Sequence, residues 1–337
     1  MNNIWEDLIH GVTKKDVRSM ARLITRVENR EPGWIAAMAE IYPLAGSARV
    51  FGITGSPGAG KSTLTCEITR ALTERGFSVG IIAVDPSSPF SGGALLGDRL
   101  RMQSIFTMER VYIRSMATRG SLGGLCQAAR DVVRIMDAFG KDIVLVETVG
   151  VGQDEIEIVR AADRVMLILV PGQGDGIQAI KAGVMEIADI YVVNKADRQG
   201  ADEVAADVTG MLSLSESQKD YLPPVLQVSA LKKQGIRELV DTLLSTPLDE
   251  RKQRLKKEIR IREEILSLVE REVFWQVRRD MLRNGRIGRA VEQIMENKAD
   301  PYTIVNQMFA EDQSMQFMRI VEHDNDEKRK NRSGKTG

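Results

Sequence analysis

Hydrophobic and polar positions along the chain fall into three regimes. Over residues 1–45, Ile4, Leu8 and Val12, then Val17, Ala21 and Ile24, recur at roughly helical spacing, which predicts amphipathic helix. Pro32-Gly33 breaks that pattern, and a further helix over 34–42 ends at Pro43. Short apolar runs at 49–54, 78–84, 111–115, 142–147, 164–170, 190–194 and 224–229 then alternate with helical stretches. That alternation predicts an α/β fold, a mostly parallel sheet flanked by helices. Beyond Pro247 a charged helical pattern takes over, with a stripe at Ile261, Ile265, Val269, Val273, Val277 and Met281 beside Phe274 and Trp275. Asn284-Gly285-Arg286-Ile287-Gly288 interrupts it, and Asp300-Pro301 opens a last helix toward Ile320. Residues 324–337 carry no apolar side chain, which predicts disorder. The expected organisation is an N-terminal helical extension (1–45), an α/β domain (46–247), a C-terminal helical arm (248–323) and a tail (324–337). No internal repeat is visible.

One stretch fixes the chemistry of the middle region. Gly55-Ser56-Pro57-Gly58-Ala59-Gly60-Lys61-Ser62-Thr63 satisfies G-x-x-x-x-G-K-[ST], and it stands between a predicted strand and a helix carrying Leu64, Ile68, Ala71 and Leu72. A strand, a glycine-rich turn and a helix N-terminus aim backbone N–H groups and the positive end of the helix dipole at an anion. Lys61 is expected to reach the β- and γ-phosphates of a nucleoside triphosphate and Ser62 to ligate Mg²⁺.

In a parallel sheet the residues just after each strand face the ligand. After the second strand come Asp85 and, further on, Asp98, two carboxylates suited to a hard, oxygen-ligated ion such as Mg²⁺; Asp85 equally suits a turn cap before Pro86. After the fourth, Glu147-Thr148-Val149-Gly150 places a carboxylate where a Walker-B acid stands. Gly150 takes the place of the glycine whose N–H senses the γ-phosphate. Val151 occupies the position where Ras-like enzymes carry a water-orienting Gln, and Gln153 lies two residues later. Slow intrinsic hydrolysis, raised by another loop or a partner, is the expectation. Asn194-Lys195-Ala196-Asp197 closes the sixth strand. A carboxylate there accepts from the ring N–H and the exocyclic amino group of guanine, whereas adenine offers no such pair. Lys195 would pack over the base and Asn194 would join the loops, while Ser229-Ala230-Leu231 could present backbone N–H groups to the guanine carbonyl. The predicted ligands are GTP and GDP with Mg²⁺.

Composition narrows the partners. Lys plus Arg equals Asp plus Glu at 47 each, so no global field recruits nucleic acid. Basic residues dense at 251–262 and 278–289 are interspersed with Glu258, Glu263, Glu264, Glu270 and Glu272, which favours a salt-bridged helix surface. No apolar run approaches a membrane span, and Met1-Asn2-Asn3-Ile4-Trp5-Glu6 lacks the pattern of a secretory signal, so a cytoplasmic location is expected. Cys66, Cys126, His10 and His323 are too few soft ligands for a dedicated transition-metal site, and Cys66 reads as a buried small hydrophobe.

Taken together these motifs resemble the MeaB/ArgK group of P-loop GTPases in the SIMIBI class, the G-protein chaperones of adenosylcobalamin-dependent acyl-CoA mutases. The likeness covers nearly the whole chain and is densest over 52–231. It rests on the phosphate loop, Val84-Asp85-Pro86-Ser87-Ser88, Leu96-Gly97-Asp98-Arg99, Glu147 to Gln153, Pro171-Gly172-Gln173-Gly174-Asp175, Asn194 to Asp197, and Ser229-Ala230-Leu231. The resemblance implies Asp85 and Asp98 in a first switch and Glu147 in a second, around Mg²⁺. It also implies a third switch over 172–183 at a mutase interface. Ile180-Lys181-Ala182-Gly183 matches the group's I-K-x-G, so Lys181 is a candidate for stabilising transition-state charge; read from the residues alone it is equally a solvated helix lysine. Asp175-Gly176-Ile177 departs from the D-E-L of many relatives. The arm is implied to form a homodimer, and a mutase, methylmalonyl-CoA mutase foremost, is implied as partner. The implied function is to gate cofactor loading, protection and reactivation of that enzyme. Neither His10 nor His323 lies in a cobalamin-ligating D-x-H-x-x-G motif, so the corrinoid belongs on the partner. The alternatives are a nickel-insertion GTPase, which calls for a Cys/His cluster this chain lacks, and a kinase of a transport protein. A signal-recognition GTPase is a further one, but no methionine-rich RNA-binding domain follows.

Overall fold

The computed structural model describes residues 4–85, 102–117, 124–148, 162–172, 188–214, 222–245, 250–283 and 285–311. Among them seven strands form one sheet: β1 (Arg49–Gly55), β2 (Val79–Asp85), β3 (Val111–Ala117), β4 (Ile143–Glu147), β5 (Arg164–Leu169), β6 (Ile190–Asn194) and β7 (Val225–Val228). Their order is β3-β2-β4-β1-β5-β6-β7 and each adjacent pair is parallel. Each strand falls on one of the apolar runs read from the sequence. β1 lies at the centre, between β4 and β5, so the loop after it opens where the strand order reverses.

Helices cover both faces, and the sequence shows why. Successive side chains of a strand point to opposite sides. In β4, Ile143 and Leu145 join the cluster built with α4 (Lys61–Glu74) and α8 (Ile236–Ser245), whereas Val144 and Val146 join the opposite one. That second cluster holds residues of α1 (Ile4–Thr13), α2 (Val17–Glu28), α3 (Trp34–Ile41) and α6 (Gly124–Ala138). In β5, Met166 and Ile168 face the α4 side, while Leu167 and Leu169 pack with α7 (Ala201–Leu214). Strands buried on both sides need unbroken apolar runs, which is how β4 and β5 read. A fully buried aliphatic chain contributes about 1.5–3 kcal/mol, so these clusters dominate the stability of the sheet. A short α5 (Gln103–Phe106) precedes β3.

The N-terminal region departs from expectation in one respect. Besides the break at Pro32-Gly33, the chain turns between α1 and α2, with Lys15 at φ 62° and Asp16 capping α2 by accepting from the N–H groups of Arg18 and Ser19. The new helix re-phases the apolar stripe. Met20, Leu23, Ile24 and Val27 are buried, whereas Val17 is 52% exposed. An Asp at the start of a helix satisfies orphan N–H groups, a signal that spacing alone hides.

The chain divides into two compact units, 1–264 and 265–337. The long α9 (Glu250–Arg283) begins in the first. In the second, α10 (Arg286–Met295) and α11 (Pro301–Glu311) contact each other, with Ala290 and Ile304 buried. Of the predicted arm stripe, Ile265 and Val269 are more than half exposed. The stretch beyond Glu311, with the tail at 324–337, lies outside the described residues.

Candidate nucleotide-binding site

The carboxyl ends of β1, β4, β6 and β7 converge on the turn between β1 and α4. Two glycines make that turn possible. A Cβ on Gly55 (φ +145°) would stand 2.3 Å from the Ile168 carbonyl oxygen, and one on Gly60 (φ +85°) 2.6 Å from Asn194 Nδ2. Both distances are too short for any side chain, so strand packing and loop closure each demand glycine. Gly60 opens α4, whose first residues Lys61 and Ser62 are buried.

Three cationic or amide side chains fold back over this turn. Lys61 Nζ donates to the carbonyls of Gly55 (2.7 Å) and Ser56 (3.0 Å). Lys195 Nζ donates to the Gly58 carbonyl at 2.8 Å, from a backbone at φ 61°. Asn194, 2% exposed, donates through Nδ2 to the Ala59 carbonyl (2.8 Å) and accepts through Oδ1 from the Ala230 N–H (3.2 Å). It therefore holds the phosphate-loop turn and the loop after β7 in one frame.

That second loop is itself closed. Ser229 and Gln234 exchange N–H···O bonds of 3.1 Å, and the buried Ser229 hydroxyl donates to Asp197 Oδ1 at 2.6 Å. The hydroxyl, with lesser help from Lys232 and Arg198, holds the Asp197 carboxyl below its usual range. A carboxylate kept ionised, its second oxygen 3.9 Å from Lys232 Nζ, is an acceptor fit for a pair of N–H donors.

On the other flank the Ser62 hydroxyl donates to Glu147 Oε1 at 2.6 Å, and both groups are buried. Two cis ligands of an octahedral Mg²⁺ stand about 2.9 Å apart, given metal–oxygen distances of about 2.05 Å. An oxygen-only pair suits a hard ion such as Mg²⁺ and no soft metal, and the 2.6 Å hydrogen bond would widen to admit it. Asp85 ends β2, beside Ala117 of β3. Among the described residues no group of three His, Cys, Asp or Glu forms a metal cluster. Asp98, Gly150 and Lys181, with most of the predicted third switch, lie outside the described residues. Cys66, in α4, is a buried thiol pushed up to about 12, first by burial and then by the Glu147 carboxylate.

The family model "Methylmalonyl Co-A mutase-associated GTPase MeaB" matches residues 20–282. The chain belongs to the MeaB family of GTPases. A Pyrococcus abyssi protein that carries the name GTPase is 46% identical over 91% of this chain and 96% of its own length. GTPase ArgK of Escherichia coli is 40% identical over 66% of this chain and 69% of its own. Among solved structures, a LAO/AO transport system kinase superposes with a TM-score of 0.63 at 27% identity, covering 95% of this chain and 99% of that one. This MeaB-family chain is thus a P-loop GTPase that binds guanine nucleotide.

Some polar residues that motif reading passed over also build the site. Thr54, the last residue before Gly55, and Thr148, directly after Glu147, are both buried, and their hydroxyls lie 3.2 Å apart. Lys233, at φ 56°, reaches Glu67 of α4 at 3.6 Å and so ties the loop after β7 to the phosphate-loop helix. A threonine ending an apolar strand is a weak signal by itself. The period-2 rule, which puts Thr54 and Thr148 on one face of adjacent strands, could have paired them.

Proposed function

We propose that this GTPase is a nucleotide-driven chaperone that docks on a cobalamin-dependent acyl-CoA mutase and gates adenosylcobalamin loading, protection and reactivation. The family description, which joins a GTPase to methylmalonyl-CoA mutase, carries the choice of partner. In this reading the residues 55–63 wrap the phosphates, and Lys61 neutralises charge on the β- and γ-phosphates. Ser62, Asp85, Asp98 and Glu147 hold Mg²⁺, Gly150 reports the γ-phosphate, and Lys181 adds positive charge when the partner docks. Asp197 reads guanine, Asn194 and Lys195 frame the base, and the segment 229–231 meets its carbonyl. Hydrolysis is slow in the isolated protein and rises with the mutase. The helical arm from 248 onward makes a homodimer, and its exposed Ile265 and Val269 support that use of the stripe. No described helix is long and apolar enough to cross a membrane, in keeping with a cytoplasmic partner.

Phosphate release from GTP is measured alone and with an acyl-CoA mutase, with ATP as the parallel substrate. Slow GTP turnover that climbs in the presence of mutase is the expected result, and turnover indifferent to every mutase tested would overturn the partner assignment. A second reading, phosphoryl transfer to a transport protein, is favoured by the kinase designation of the structural neighbour. Preference for ATP would bring it forward.

A further inference from the structure

Glu147, the last residue of β4, and Thr148 directly after it point to opposite faces of the sheet, the first bonding to the start of α4 and the second to the end of β1. Glu147 reaches the α4 side, where its carboxylate accepts from Ser62 at 2.6 Å. Thr148 turns to the other side. Its hydroxyl lies 3.2 Å from the Thr54 hydroxyl and 3.4 Å from the Ile53 carbonyl, and its N–H donates to that same carbonyl at 3.0 Å. Thr54 is 0% and Thr148 2% exposed. Both are therefore cut off from water, and the Thr148 hydroxyl is held by the Thr54 hydroxyl and the Ile53 carbonyl of β1.

Position gives the pair its meaning. Thr54 is the residue before Gly55, and Thr148 is two residues before Gly150, the predicted γ-phosphate sensor. We propose that Thr54 and Thr148 form a hydroxyl latch that fixes where the chain leaves β4 relative to the phosphate loop. They are positioning residues for hydrolysis and touch no reacting group themselves. The latch rests on the GTPase reading of this site. With it in place, the backbone at Thr148 is fixed against β1, and the Glu147 carboxylate keeps its spacing to Ser62. Without it, β4 still pairs with β1 through Ile53 and Glu147, so phosphate and base contacts persist while the catalytic geometry loosens. Catalysis is more sensitive to such sub-ångström displacement than binding is.

Thr148→Val keeps the shape and deletes the hydroxyl, Thr148→Ser restores it, and Thr54→Val removes the partner. Single-turnover GTP hydrolysis, GDP affinity and the urea midpoint are measured for each. Expected are a drop of about tenfold in the hydrolysis rate for Thr148→Val, GDP affinity within about twofold of the parent, and recovery with Thr148→Ser. The double Thr54→Val/Thr148→Val variant is expected to be no slower than Thr148→Val, because one interaction is lost in both. An unchanged rate in Thr148→Val, or GDP affinity and hydrolysis falling together without rescue by serine, would overturn the latch and leave the GTPase reading standing. A parent protein that hydrolyses no GTP would overturn both.

Discussion

The two rims of the sheet use the same kinds of side chain to different ends. At the amino-terminal rim, Asp142, Asp163 and Asp189 each stand directly before a strand and accept from the backbone N–H at the start of a neighbouring one. Asp142 takes Ser78, Asp163 takes Val50 and Asp189 takes Val165, at 2.7–3.0 Å. Asp137 does the same for the N–H groups of Gly46, Ser47 and Ala48. Buried Arg164 donates to the carbonyls of Thr242 and Leu243, and Arg49 to Leu244, closing the last turn of α8. These partners are main-chain groups at the ends of the strand and helix ladders. At the carboxyl-terminal rim Lys61, Asn194 and Lys195 donate to carbonyls of the phosphate-loop turn, Ser62 bonds to Glu147 and Asp197 to Ser229, and in the proposed function a nucleotide and metal compete for these groups. Polarity at a strand end thus means closure at one rim and exchange at the other. The lesson is that the direction of the strand, more than the residue type, separates structural from functional polar groups.

The sharpest way to break this contrast is Lys61→Ala. The upper rim should lose about 100-fold or more in GTP hydrolysis, since charge neutralisation on the transferred phosphate goes with it, while the urea midpoint stays near that of the parent. Next comes Asp197→Asn, expected to weaken GTP binding by about 100-fold as measured by calorimetry. Xanthosine triphosphate, which has a carbonyl in place of the guanine amino group, should recover much of the loss. The lower rim should behave in reverse. Asp163→Ala strands the Val50 N–H and removes the ion pair with Arg260, a cost of about 2 kcal/mol in urea unfolding, with hydrolysis near the parent rate. The smallest effect concerns acid. The Ser78 hydroxyl, ahead of its N–H, Arg110 and Lys141, holds the Asp142 carboxyl below its usual range. A depressed carboxyl contributes stability that is present above its unfolded value of about 3.9 and lost as pH falls through the folded one. Asp142→Asn should therefore lie below the parent in stability near neutrality and converge with it below about pH 4. Parallel curves down to pH 2 would refute that role.

Much of this was legible before the structure, for physical reasons. The buried parallel strands announce themselves as apolar runs, and the phosphate loop as a fixed spacing of glycines, lysine and serine that only one turn geometry satisfies. Asn194 and Asp197 stood out as an N-K-x-D string at a strand end, and the structure places both against the loop after β7. Contacts between segments remote in sequence were hidden. Nothing in the string tells that Asp163 seeks Val50, or that Lys233 finds Glu67, because both depend on strand order. The α1–α2 turn escaped for a different reason: helical spacing carried the eye across Asp16, although its capping chemistry was in plain view.

The central place of β1 bears on how the protein is made. It emerges early, yet its ladder partners come much later: Arg49 pairs with Ile143, and Phe51 with Arg164. During synthesis the phosphate loop therefore trails from an unpaired strand until β4 and β5 have left the ribosome. Long-range parallel pairing of this sort is slow and exposes apolar edges meanwhile. Cellular guanine nucleotide, binding only the finished turn, draws the last assembly step forward by mass action, so the ligand that the protein later consumes also helps to complete it.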